Sequence, residues 1–153
     1  MEADPLVTQS ATLVTAGRAL DVACGTGRNA LYLARNGWDV IAVDINAESI
    51  VMLRERSNDV DARVLDLERE PLDFPDGSFD LIAIVRFFQT SLFPTVKRLL
   101  RPGGILATSA KMTGRFAAGA GELRRNFEGW EVIHEFEDGV RAELIARKRD
   151  VSS

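Results

Sequence analysis

The chain has 153 residues, 46% of them hydrophobic and 27% charged, with a formal net charge of −4 and one cysteine. That length suits one domain, residues 1–153, burying roughly two-thirds of the surface its unfolded chain exposes. The negative balance argues against general nucleic-acid affinity, no apolar run reaches the roughly 20 residues of a membrane span, and one cysteine excludes an internal disulfide. A reducing cytoplasm fits that cysteine usage. The opening Met1-Glu2-Ala3-Asp4-Pro5 also lacks the basic-then-apolar order of a secretory signal.

In chain order, the pattern predicts a strand at 19–23, a helix at 28–36, a strand at 39–43 and a helix at 47–57. Strands near 62–65 and 79–85, a helix at 91–100 and a strand at 104–109 follow. A short helix near 120–127 precedes two closing strands, 130–137 and 140–147. Such alternation implies an α/β fold, a doubly wound and mostly parallel sheet with helices on both faces. Asn36-Gly37 supplies a left-handed stop for the first helix, and Asn46 an N-cap for the second. Pro94 is tolerable only near the start of its helix. Asp138-Gly139 signals a tight hairpin, so the final strand is antiparallel to a neighbour. Alternation from Trp130 puts Val132, His134 and Phe136 on the same face as that tryptophan, so the only histidine is expected among apolar neighbours.

The most informative stretch is Leu20-Asp21-Val22-Ala23-Cys24-Gly25-Thr26-Gly27-Arg28-Asn29-Ala30, an apolar strand ending in a glycine turn that opens a helix. Nineteen residues after Gly25, at the end of the next apolar run, stands Asp44. This is the layout of a nucleoside-binding βαβ unit, with Asp44 placed to accept from both hydroxyls of a ribose. Gly25 and Gly27 allow a tight turn and close approach to a ligand. The G-x-G-x-x-A pattern alone would suit a dinucleotide. Asp21, inside the strand and four residues ahead of Gly25, would repel a pyrophosphate and attract an ammonium group. S-adenosylmethionine carries a ribose and an ammonium and has no phosphate.

With these residues the sequence resembles the class I S-adenosylmethionine-dependent methyltransferases, and the resemblance covers most of the chain. Leu20 to Gly27 is similar to the family's first motif and Val43-Asp44-Ile45 to its ribose and adenine contact. Val64-Leu65-Asp66-Leu67 resembles the adenine segment. Phe74 to Ile82 resembles the fourth-strand motif, and Leu100 to Leu106 the helix-turn-strand after it. The resemblance implies a seven-stranded sheet closed by an antiparallel hairpin, S-adenosylmethionine as cofactor and no metal. It implies that Asp66 accepts from the adenine amino group while Ile45 and Leu67 cover the ring. A capping role within Asp66-Leu67-Glu68-Arg69-Glu70 is the plainer alternative.

Other residues carry two readings each. Asp21 either binds loop amides or meets the methionine end of the cofactor, together with the backbone at Ala23 and around Val85. Arg28, in the first helical turn, opposes the macrodipole unless a carboxylate such as Asp21 or the cofactor's offsets it; otherwise it points to water. Asn29 orders the loop. Cys24 suits packing better than nucleophilic work. Arg86, with Phe87, Phe88 and Gln89, follows the fourth strand where an acceptor would lie. The pattern from Gly27 to Ala34 and the closing hairpin are most similar to the tellurite-resistance (TehB-like) branch. That resemblance makes His134 and Arg141 candidates for acceptor binding or acid–base work, although Glu135 stands where the branch has an arginine. A histidine packed beside Trp130 and Phe136 is the plainer reading.

The expected activity is methyl transfer to a small-molecule acceptor, a thiol or an oxyanion, by in-line displacement that needs little beyond placement and exclusion of water. A non-catalytic cofactor-binding module and an NAD oxidoreductase are the alternatives. Few residues precede the first strand, so little lid is expected there. Shelter would come from a homodimer partner or a large substrate, and the glycine-rich segment 114–121 is expected as a flap.

Overall fold

A computed structural model describes residues 2–150. Its elements are α1 (Pro5–Ser10), β1 (Arg18–Val22), α2 (Arg28–Arg35), β2 (Asp39–Asp44), α3 (Ala47–Arg56), β3 (Val60–Val64) and β4 (Phe79–Ile84). A 3-10 turn (Thr90–Leu92) leads into α4 (Phe93–Leu99), then β5 (Leu100–Lys111), α5 (Glu122–Arg125), β6 (Glu131–Glu137) and β7 (Arg141–Arg147). The strands form one sheet in the order β3-β2-β1-β4-β5-β7-β6. β3 through β5 are parallel, and β7 is antiparallel to both its neighbours. The expected doubly wound, seven-stranded α/β sheet with its closing hairpin is the fold.

β1 and β4 are buried along almost their whole length because helices cover both faces. One face packs Ala19, Val40, Leu81 and Ile105 against Leu33 of α2 and Ile50 and Leu53 of α3. The other packs Leu20, Val43, Ile82 and Leu106 against Phe93 and Leu99 of α4 and Phe127 beyond α5. Asn46 caps α3 as expected, its Oδ1 accepting from the Ser49 amide at 3.0 Å. Pro94 falls in the first turn of α4.

The residues before β1, to which the sequence pattern assigns no element, form α1, and two expectations need correction. Asp4 caps α1 by accepting from the Leu6 amide at 2.9 Å, and Leu6 and Val7 are buried in the first core. The helix expected at 91–100 begins as a 3-10 turn and ends at Leu99. Finally, β6 does not keep simple alternation. Val132 lies opposite Ala146 while His134 lies opposite Ile145, so a bulge at Ile133 spends two residues on one step of β7. Trp130 and Val132 therefore pack on the α4 side, whereas His134 and Phe136 stand with Ile145 and Glu143 on the opposite face. A one-residue insertion reverses every later side chain of a strand.

The segment 114–121 is pinned rather than loose along its second half. The Ala118 amide donates to the Lys111 carbonyl at 2.9 Å, the Gly119 amide to Glu122 Oε1 at 2.8 Å and the Gly121 amide to Glu137 Oε2 at 2.9 Å. Phe116, at φ 59°, is left 75% exposed near its apex.

Candidate active site

Chain connections run one way from β1 and the opposite way from β4, which opens a crevice at the carboxyl ends of these neighbouring strands. Both strands leave the sheet through a left-handed residue that is not glycine, Ala23 at φ 58° and Arg86 at φ 59°. Such backbone costs of order 1–3 kcal/mol and concentrates at functional sites. The Arg86 amide is held by Ser109 Oγ at 2.9 Å. The two glycines of the turn differ. A Cβ on Gly27 would collide with the Leu53 side chain, whereas one on Gly25 would meet nothing within 4 Å. Packing demands the first glycine, and open space adjoins the second.

Asp44 closes the turn from the neighbouring strand. Its Oδ2 accepts from the Gly25 amide and its Oδ1 from the Asn46 amide, each at 2.8 Å. A carboxylate oxygen has two lone-pair sites, so each oxygen can still take a hydroxyl donor. The next side chain, Ile45, is 64% exposed, an apolar face available to a flat ring. Asp21 is 1% exposed, and its Oδ2 has no hydrogen-bond partner. Burial above all, with the charge of Asp44 added, pushes its carboxyl up to about 7, against the pull of the Ala30 amide and Arg28. A buried carboxylate with an orphan oxygen fits an incoming ammonium group and disfavours a phosphate.

Arg28 does face a carboxylate, but that of Asp4 and not of Asp21. Its Nη2 lies 3.5 Å from Asp4 Oδ2, and Asn29 Oδ1 accepts from the Asp4 amide at 2.8 Å. Both residues clamp the segment ahead of α1 onto the glycine turn. Cys24 donates weakly to the Gly25 carbonyl at 3.4 Å, and burial lifts its thiol far above the ordinary range, as suits a packing residue. Asp66 Oδ1 accepts from the Glu68 amide at 3.0 Å and its Oδ2 faces Arg69 Nε at 3.7 Å, so the carboxylate caps its own turn. Leu67 packs on the second core, and Val85 is buried in the first.

Beside this turn lies an open cavity of about 1170 Å³, lined in part by Leu67, Arg86, Phe87, Phe88, Phe116 and Arg141. Arg86 and Arg141, far apart in sequence, thus line one cavity. His134 does not line it. Instead its Nε2 lies 3.0 Å from Glu143 Oε1, while Glu143 Oε2 takes Arg141 Nε at 3.2 Å. The expected apolar setting of His134 is therefore replaced by an ion-pair network, a consequence of the bulge. Arg141 also sits 5.4 Å above the Phe136 ring. Glu135 faces Arg124 at 3.3 Å, away from that network. Sequence reasoning missed Lys111, which lines the cavity, and Glu143 behind it. Neither lies in a motif, and only the register of β5, β6 and β7 brings them in.

Among the described residues no cluster of histidine, cysteine and carboxylates is arranged to hold a metal, and no helix is long and apolar enough to cross a membrane. Residues 20–108 match the profile of a family described as "Methyltransferase domain". The chain belongs to this family, the class I S-adenosylmethionine-dependent methyltransferases. Among relatives of this chain, a ubiquinone biosynthesis O-methyltransferase of Xanthomonas oryzae pv. oryzae is 33% identical over 157 aligned positions, covering 92% of this chain and 64% of that protein. A fatty-acid O-methyltransferase of Mycolicibacterium smegmatis is 35% identical over 104 residues, covering 61% of this chain and 37% of that one. The chain thus spans less than two-thirds of the length of these relatives. In fold it is similar to TehB from Haemophilus influenzae, with a TM-score of 0.87 at 22% identity over 96% of this chain and 63% of that one. A methyltransferase from Methanosarcina mazei gives a TM-score of 0.74 at 20% identity over 97% and 99%.

Proposed function

We propose that residues 1–153 form one domain that binds S-adenosylmethionine and transfers its methyl group to a small-molecule acceptor by direct in-line displacement. The observation that carries this reading is the buried, unpartnered oxygen of Asp21 beneath the glycine turn. It suits the ammonium of the cofactor's methionine and opposes the pyrophosphate of NAD. Bound there, the cofactor would supply an electrophilic methyl group on sulfonium sulfur.

The roles of the chain's own residues follow from what each has left to offer. Asp44 spends one site of each oxygen on a backbone amide and retains another for the ribose hydroxyls. The open space at Gly25 and the left-handed turn at Ala23 leave room for the methionine portion, with the backbone around Val85 opposite. Ile45 and Leu67 cover the adenine, and the Oδ2 side of Asp66 faces its amino group. Arg28 and Asn29 act through Asp4 by holding α1 against the turn. Arg86 and Arg141 face the acceptor, with His134 entering only through Glu143. Two relatives are O-methyltransferases, one of ubiquinone biosynthesis and one of fatty acids, which supports an oxygen acceptor over a thiol. A cytoplasmic, homodimeric enzyme fits the cysteine usage and the exposed site.

The test is calorimetric titration with S-adenosylmethionine, S-adenosylhomocysteine and NAD. Both adenosyl ligands should bind and NAD should not. A hydrogen bond to a charged group is worth about 1.5–3 kcal/mol, so Asp44→Ala should weaken both ligands tenfold or more. Binding of NAD alone would overturn the reading.

A further inference from the structure

The cations and carboxylates of the cavity balance in number but differ in how far each is already engaged. Three cations line it, Arg86 after β4, Lys111 at the end of β5 and Arg141 at the start of β7. Lys111 and Arg141 are direct partners across the β5–β7 ladder. Like charges facing one another on a sheet are destabilising, and an anion between them would offset that cost. Among the described residues, neither Arg86 nor Lys111 enters an ion pair. Arg141 is braced from behind by Glu143 and Phe136.

The lining acids are differently placed. Glu122 accepts from the Gly119 amide, and Asp138 accepts from the Val140 and Arg141 amides at 2.9 and 2.8 Å. Those two carboxylates are committed to their own turns. Only Glu68, on the Leu67 side, remains apart from such a bond.

The rest of the wall is apolar. Phe87 and Phe88 pack on the core at its base. At its mouth Phe116 and Val140 come from separate loops, 75% and 62% exposed. Large apolar side chains held open around a cavity cost solvation unless a ligand covers them.

From these three observations we infer that the acceptor is an apolar carboxylate, its head between Arg86, Lys111 and Arg141 and its body between the two pairs of apolar residues. The inference rests on the methyltransferase reading above. A carboxylate is ionised at neutral pH, so a lone pair of its oxygen forms the new bond to the methyl carbon as the carbon–sulfur bond breaks. The electron pair of that bond stays on sulfur, a methyl ester forms and no proton has to be removed. That matches a cavity in which Glu122 and Asp138 are engaged by backbone amides and His134 lies behind Glu143. Inorganic oxyanions would satisfy the cations and leave the apolar walls bare. Alcohols would do the reverse.

The experiment titrates the full chain with octanoate, octanol, octylamine and selenite, alone and saturated with S-adenosylhomocysteine. Octanoate should bind at least tenfold more tightly than each of the other three. Lys111→Met and Arg86→Met should each weaken octanoate about tenfold while leaving octanol unchanged. Phe116→Ser should weaken octanoate and octanol alike. Lys111 and Phe116 are exposed, so these variants keep the test clear of misfolding. Equal affinity for octanoate and octanol, preference for octylamine or selenite, or indifference to Lys111→Met would each overturn the inference. S-adenosylhomocysteine binding without octanoate preference defeats this inference alone. Octanoate preference without S-adenosylhomocysteine binding defeats the cofactor reading and leaves the anion site standing. Binding of neither defeats both.

Discussion

The two halves of the sheet carry opposite charge at the edge they share. On the β1–β2–β3 side the groups at the strand ends are the carboxylates Asp21, Asp44 and Asp66, held by or near the amides of their own turns. On the β4–β5–β7 side they are the cations Arg86, Lys111 and Arg141, contributed by three strands. Local turns preset the first half, because a carboxylate and the amide it accepts from lie on adjoining loops. The second half depends on the register between parallel and antiparallel strands. A set of charges built the first way is written in short motifs, whereas one built the second way can change with a few strand-end residues.

The comparison breaks first at Asp21. Its carboxyl, raised to about 7 from 3.8 by burial, keeps a proton in the folded chain that the unfolded chain has already lost. The ligand-free protein should therefore lose stability as pH rises from about 4 to about 7, then level off. At 1.36 kcal/mol per unit the swing is at most roughly 4 kcal/mol. Unfolding at a series of pH values should show that slope in the parent and its absence in Asp21→Asn. S-adenosylmethionine affinity should rise across the same window, because the ammonium prefers the ionised form. A flat parent profile would remove Asp21 from the account.

A smaller effect distinguishes the two glycines. Gly27→Ala combines a collision with Leu53 and a left-handed backbone, together worth roughly 2–4 kcal/mol. Gly25→Ala bears only the backbone cost, about 1 kcal/mol, and should act on cofactor affinity instead. Denaturant unfolding of both variants measures the gap, and equal losses would mean that packing against α3 is not what demands Gly27.

The smallest change is expected on the cation side. Glu143→Gln loosens Arg141 and His134 at a partly exposed network and should cost less than about 1 kcal/mol of stability. Its effect should show instead as weaker octanoate binding, with S-adenosylhomocysteine unaffected. A large fall in melting temperature would make Glu143 a structural residue.

Much of the carboxylate half was legible in advance because its determinants are short-range. Strand, glycine turn, helix and the acid nineteen residues on are all set by local turn chemistry and chain reach. That spacing brings Asp44 to the glycine turn, and its bond to the Gly25 amide is what the structure adds. Asp4 as the partner of Arg28 carried no such signal, since α1 folds back over the turn through contacts of high sequence separation. His134 was misplaced for another reason. Nothing in the alternation of Trp130 to Phe136 marks the extra residue at Ile133, and one bulge moves the histidine to the other face.

By itself, then, the sequence determined the α/β class, the order of elements from β1 onward, the antiparallel closing hairpin and the carboxylates around the glycine turn. Hydrophobic periodicity and turn residues act over a few positions and leave a readable trace. Only the tertiary structure decided which cations share a cavity, that Lys111 faces Arg141, and that His134 stands behind Glu143. Those relations depend on strand register and on a bulge, which arise from the packing of whole strands and are recorded at no single position of the chain.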